Sequence, residues 1–338
     1  MHTTIRIAGR LRLALSLALC AGLASCKSGG DVLRPAVNEG TPGPGLTVEV
    51  AQLEQALKCS TDLTEVTRDP VLLTPAFSTD QESFGWNYLR QLPALGIPVC
   101  SLTIPDHGFG DLQNAAEYVV YAVRKMSEAS GRKVILFGHQ HGPLDELWAL
   151  MFWPDIPVRV SSLISLATPY QGTTGAQMIC ALSGNCPPSV WQIATDSQFL
   201  HALNDRPLPA GPAYTSITTL YDELITPQPQ ASHRDGATNI VLQDICPGRL
   251  VEHFSILADN LAYALVLDAM EHPGAPANPA NLPSSICAGP LFMPGVESPE
   301  SAVSALGGIT GFLSGFVLAI GTGSVNAEPP LRDYASGS

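Results

Sequence analysis

Apolar positions along the chain follow two rhythms. Short apolar runs bounded by Pro, Gly or charged residues recur at Asp69 to Pro75 ("DPVLLTP"), Ile97 to Ile104, Lys133 to Phe137, Val160 to Ala167, Tyr214 to Leu220 and Asn239 to Ile245. Each has the length of a strand, and continuous apolar runs of this size suit strands buried on both faces. Between them lie Glu82 to Leu92 and Asp111 to Ser130, with apolar residues spaced by three and four. In the longer segment these are Ala115, Tyr118, Val119, Ala122 and Met126. That spacing predicts helices. Pro143 suits the first turn of a further helix, where its missing N–H costs nothing. Strands alternating with helices predict an α/β fold, a mostly parallel central sheet with helices on both faces.

The ends of the chain read differently. Arg6, Arg10 and Arg12 precede a short apolar run, Leu13 to Ala24. This is the pattern of a secretory signal and is too short to span a bilayer. It ends in Leu23-Ala24-Ser25-Cys26, which resembles a bacterial lipobox. Residues 1–25 are therefore expected to be a lipoprotein signal peptide, with Cys26 lipidated and the protein anchored to the cell envelope. Ordinary signal cleavage and secretion is the alternative. Residues 26–48, rich in Gly, Ser, Pro and Asn, are expected to form a flexible tether, and 49–338 the folded domain. Near the other end, Ala302 to Gly323 carries no charged residue but many Gly and Ser. We read it as a helix over an apolar pocket rather than a membrane span.

Charge narrows the classes of partner. The 338 residues carry a formal net charge of -13, which argues against nucleic-acid binding, since phosphates are held by clustered Lys and Arg. No nucleotide-binding glycine motif follows a strand. With Cys20 in the signal and Cys26 lipidated, six cysteines remain of the eight: Cys59, Cys100, Cys180, Cys186, Cys246 and Cys287. An even number outside the cytoplasm suggests disulfides, with fifteen pairings open for six cysteines. Zinc is disfavoured by the lack of a C-x-x-C pair.

The candidate chemistry sits at "KVILFGHQHGPLDELWAL", Lys133 to Leu150: an apolar strand, a tight turn and a helix. A hydrolase that carries its nucleophile on such a turn uses G-x-S-x-G. Here the frame is Gly138-His139-Gln140-His141-Gly142, and Gln140 stands at the serine position. A neutral amide offers no ionisable oxygen or thiol. No Ser, Thr or Cys lies nearby between Gly131 and Phe152 to take its place. Downstream, Asp222 follows a strand and His253 lies in a turn region beyond the next one. This is the chain order nucleophile, acid, His. His139 and His141 at i, i+2 on a sharp turn make a poor metal pattern, so neither metal nor cofactor is expected.

These motifs resemble the Candida antarctica lipase B-like triacylglycerol lipases, including secreted bacterial members, which have the α/β-hydrolase fold. The likeness runs from about Leu53 to Ala335. It rests on "PVLLTPAFSTDQESFGWNYLRQLPALGIPVCSL", on the turn itself, and on "SLISLATPYQGT", "YDELITPQPQ" and "CPGRLVEHFS". The resemblance implies Asp222 as the acid, His253 as the base, and backbone N–H groups of Phe77 and His141 as the oxyanion hole. Phe77 falls near the position of a hydroxyl-bearing Thr, so a side-chain donor is missing. It implies disulfides Cys59–Cys100 and Cys246–Cys287, which leaves Cys180–Cys186 as a local pair. With Gln140 at the nucleophile position, acyl-enzyme chemistry is expected to be absent. The protein is then expected to be a monomer that binds acyl or ester ligands, or lipid. The alternative is a hydrolase in which His253, oriented by Asp222, activates water directly.

Overall fold

The computed structural model describes residues 41–77, 83–296, 310, 314–315 and 317–336. The signal sequence, Cys26 and most of the segment 302–323 lie outside the described residues. Among the described residues no helix is long and apolar enough to cross a membrane.

Among the described residues seven strands form one sheet: β1 (Leu57–Cys59), β2 (Val71–Thr74), β3 (Val99–Leu102), β4 (Val134–His139), β5 (Val160–Leu166), β6 (Ala213–Thr218) and β7 (Thr238–Val241). Their spatial order is β1-β3-β2-β4-β5-β6-β7. Of these seven, β1 runs antiparallel, paired with β3 so that Cys59 lies opposite Cys100. The other pairs are parallel. A mostly parallel sheet in this order with helices on both faces is the α/β-hydrolase fold.

Side chains alternate across the strands and so divide the core in two. Leu72, Val134 and Leu136 point to one face, where they meet the helices α1 (Val50–Ala56), α3 (Leu112–Ser130) and α4 (Gly142–Phe152). Val71, Leu73, Ile135 and Phe137 point to the other, against α2 (Tyr88–Ala94) and α8 (Asn260–Glu271). Between β5 and β6 the chain adds α5 (Thr174–Ser183), α6 (Pro188–Gln192) and α7 (Gln198–Asn204). Because helices cover both faces, β2 to β5 are buried at every position, which is why they read as unbroken apolar runs.

Three disulfides fasten this body: Cys59–Cys100, Cys180–Cys186 and Cys246–Cys287. The first and third each close a loop of 41 residues, worth roughly 4 kcal/mol by the loop-entropy relation. Their number points to an exported protein.

Residues 43–48, which composition alone assigns to the tether, are packed on the domain. The Trp153 indole donates to the Pro44 carbonyl at 2.8 Å. The Glu117 carboxylate, buried in α3, accepts from the N–H groups of Thr47 and Val48 and from the Thr47 hydroxyl. Removing those donors strands a buried charge, and hydrogen bonds to charged groups contribute ~1.5–3 kcal/mol each. A chain trimmed to begin at Val50 should therefore unfold at lower urea concentration than one beginning at Thr41. Equal midpoints would show that the 43–48 segment contributes nothing.

Candidate active site

The turn after β4 is built by close approach. Gly138 sits against Pro143, where an added Cβ would lie 2.8 Å from the ring. A Cβ on Gly142 would overlap the Thr74 carbonyl of β2. Glycine at both positions lets α4 start directly above the sheet. The residue between them bears the geometric cost: Gln140 has φ 56, a left-handed conformation that L-residues other than Gly, Asn and Asp seldom adopt. Its N–H is fixed to the Leu166 carbonyl of β5 at 2.9 Å. This is the sharp strand–turn–helix of a nucleophile elbow, and Gln140 is at its apex, 6% exposed.

Asp222 and His253 come from separate loops and meet. The Asp222 carboxylate accepts from Leu224 N–H at 3.0 Å and Ile225 N–H at 2.8 Å through one oxygen. The other oxygen is 2.8 Å from His253 Nδ1. With the carboxylate as acceptor, Nδ1 carries the proton and Nε2 is left as the free base. Nε2 is buried and has no hydrogen-bond partner, so the pair is assembled with its working nitrogen unengaged.

The surrounding loops are braced for this. Gln243 accepts from Leu220 N–H and donates to the Thr219 hydroxyl and the Arg249 carbonyl. It thus ties the loop that carries Asp222 to the loop that carries His253. Arg249 forms a buried ion pair with Asp259 at 2.6 Å and donates to the Leu291 carbonyl. His139 donates through Nε2 to the His253 carbonyl at 3.0 Å, and the two rings lie 4.7 Å apart. Burial, reinforced by the neighbouring His253, holds the His139 pKa well below the usual histidine range, so His139 is a neutral spacer.

On the other side of the elbow, Phe77 stacks on Phe109 with ring centres 4.5 Å apart and meets the His141 ring edge-on at 4.4 Å. The two residues expected to supply oxyanion N–H groups are therefore neighbours. The approach to Phe77 is shaped by Pro105–Gly108, in which Asp106, His107 and Gly108 all have positive φ. At Gly108 an added Cβ would strike the Ala76 carbonyl, so only glycine fits there.

Sequence reasoning passed over the acids of α4. Asp145 and Glu146 are fully buried, and none of their carboxylate oxygens has a hydrogen-bond partner. Asp145 lies 3.7 Å from His141 Nδ1, within ion-pair reach but beyond a hydrogen bond. Burial pushes Asp145 up to about 6 against the pull of His141, and pushes Glu146 well above the usual carboxylate range. Among the described residues no group of three or more His, Cys, Asp or Glu side chains is arranged to hold a metal ion.

Comparison with known proteins follows the same lines. No family model matches the chain. Lipase B of Pseudozyma antarctica is 29% identical over 302 residues, 86% of each chain. Lipase B of Aspergillus fumigatus superposes with a TM-score of 0.79 at 26% identity, over 87% of this chain and 74% of that one. A mature Bacillus licheniformis lipase gives 0.50 at 17% identity, over 63% of this chain and 97% of the other. That last likeness is one of fold.

The buried acids give this site a pH signature in stability. Folded Asp145 holds its proton up to about pH 6, whereas an unfolded Asp releases it near pH 4. The native state thus binds more protons in that window, and stability falls as pH rises through it. The contribution present below about pH 4 and lost by about pH 7 is on the order of 3 kcal/mol for Asp145. The pH dependence of the urea midpoint in the parent chain should include this falling component. In Asp145→Val that falling component should be absent and the midpoint near neutrality higher relative to the midpoint near pH 4, since a buried acid beyond hydrogen-bond reach of its basic neighbour is replaced by an apolar side chain. An unchanged pH profile in the variant would contradict the assignment.

Proposed function

We propose that this member of the α/β-hydrolase lipases, homologous to lipase B, is a lipase-like protein disarmed at its nucleophile. In this reading Gln140 replaces the elbow serine, and the protein binds acyl chains, esters or lipid at the cell envelope. One observation carries it. The elbow keeps its left-handed apex, and Asp222 orients His253 at 2.8 Å with Nε2 free, yet the apex residue has no atom that can attack a carbonyl. The acid and base are in place and the group they would activate is absent.

The ligand class is inferred from exposed apolar surface on the domain. Exposed Met178, Ile179 and Leu182 on α5, with Val317, Leu318 and Ile320 in the C-terminal helical stretch, present apolar surface. Val325, which follows that stretch, pairs with Cys186 just beyond α5. Apolar surface of this kind favours a hydrocarbon ligand over a polar one. The charge of -13 disfavours nucleic acid. Lipidation at Cys26 would place the domain on a membrane as a tethered monomer.

A second reading draws on the same free nitrogen. His253 activates water for direct attack on an ester, with no covalent intermediate and with the Phe77 and His141 N–H groups receiving the oxyanion. It predicts slow turnover that depends on His253.

Hydrolysis of a short-chain p-nitrophenyl ester by the chain from Thr41 onward separates the two. Under the first reading the parent is inert and Gln140→Ser gains ~10³-fold or more in kcat/KM over it, a conservative part of the ~10⁶ that loss of a triad nucleophile costs. Addition of His253→Ala to that variant removes the gain. Turnover by the parent that vanishes in His253→Ala selects the second reading instead. A folded Gln140→Ser variant with no activity overturns the first.

A further inference from the structure

We propose that a second cleft, where α1 and β1 face the start of α3, binds a neutral, hydroxyl-rich ligand, a small saccharide. The cleft is separate from the elbow: Phe77, Gln140, His141, Asp222 and His253 do not line it. Sugar binding here therefore stands or falls independently of the lipase-like reading.

The cleft has a volume of about 500 Å³, within the range of small-molecule sites. One wall carries Gln52 and Gln55 of α1 and Lys58 of β1. The other carries Asp106, in the loop after β3, with Asn114 and Tyr118 of α3. Tyr118 is 5% exposed, yet its hydroxyl makes no hydrogen bond with the described residues. A buried hydroxyl ordinarily has a partner. Burial, then the Glu117 and Asp106 carboxylates, raise its pKa above the usual tyrosine value, so it stays protonated and able to donate. Among the described residues the Asp106 carboxylate accepts no hydrogen bond and Lys58 forms no ion pair. Asn114 accepts from Arg332 through Oδ1, which leaves Nδ2 to donate. Asp106 is also held in a left-handed backbone, φ 54, followed by His107 at φ 51. Strain of this kind collects at ligand clamps.

The mixture of groups decides the ligand class. Lys58, Asn114 and Tyr118 donate, Asp106 accepts, and the amides of Gln52 and Gln55 do both. A sugar hydroxyl also does both, so several hydroxyls on one ring can satisfy this set together. An inorganic anion would be repelled by Asp106 and by Asp111, whose carboxylate at the same edge is engaged by Gln113 and Gln192. An organic cation would meet Lys58. A hydrocarbon would cover Asp106 and Lys58 without partnering either, which is costly for charged groups. A neutral polyol leaves neither charge stranded.

Saturation-transfer NMR on the full chain, with maltose, cellobiose and chitobiose as separate probes, tests this. At least one of the three should receive saturation from the protein and give a saturable titration. Asp106→Asn keeps a residue that tolerates left-handed backbone, and Tyr118→Phe removes only the hydroxyl. Each should weaken binding about 5- to 10-fold, the size of one lost hydrogen bond to a buried or charged group. Lys58→Met, at an exposed position, should weaken it without moving the urea midpoint, so the outcome does not hinge on a variant that fails to fold. No transfer to any of the three sugars, or affinities unchanged in all three variants, would overturn the proposal. So would loss of binding in His253→Ala, which would place the sugar at the elbow, or binding of inorganic phosphate in place of every sugar. A longer oligomer of the sugar that binds, at equal concentration of chain ends, separates a free saccharide, held more tightly, from the end of a polysaccharide, held equally well.

Discussion

The site depends on how closely the start of α4 approaches the sheet. Gly142 passes the Thr74 carbonyl, and Gly138 passes Pro143, at distances that leave no room for a side chain. That proximity forces residue 140 into a left-handed turn and sets it at the apex. The geometry is a property of the two glycines and the sheet, independent of what residue 140 is. The same geometry accommodates a glutamine at the tip. The fold positions a side chain, and only the identity of that side chain decides whether chemistry follows.

The second constraint is that Asp222 and His253 come from different loops and still meet at hydrogen-bond distance. Gln243, Arg249 and the His139 bond to the His253 carbonyl hold those loops together. On the proposed reading, this braced pair can accept a hydrogen bond at Nε2 from water or from a ligand hydroxyl. Ligand capture and slow water activation are thus two outcomes of one geometry. They differ in whether anything reactive is held against Nε2.

Much of this was legible in the chain. The unbroken apolar runs marked β2, β4 and β5 because both faces of the sheet are covered. The order Gln140, Asp222, His253 followed from placing each after a strand. β1 leaves no mark in the sequence because three residues are too few for a pattern, and its place is set by its antiparallel pairing with β3, Cys59 opposite Cys100. Residues 43–48 read as tether from composition, but Glu117 and Trp153, remote in sequence, bind them. Asp145 and Glu146 were hidden for a related reason. Acids on a helix ordinarily face water, whereas α4 runs through the interior with nearly every residue buried. The predicted strand Tyr214 to Leu220 stops at Thr218 because the chain must turn there to bring Asp222 to His253.

The central claim is that the acid and base of a lipase site are intact while its nucleophile is gone. Covalent labelling with a serine-directed alkyl phosphonate, read by mass at position 140, addresses it most directly. The account predicts no adduct on the parent chain and one adduct, at residue 140, on Gln140→Ser. Labelling of the parent chain anywhere in the site, or a folded Gln140→Ser that takes up no phosphonate, would contradict it.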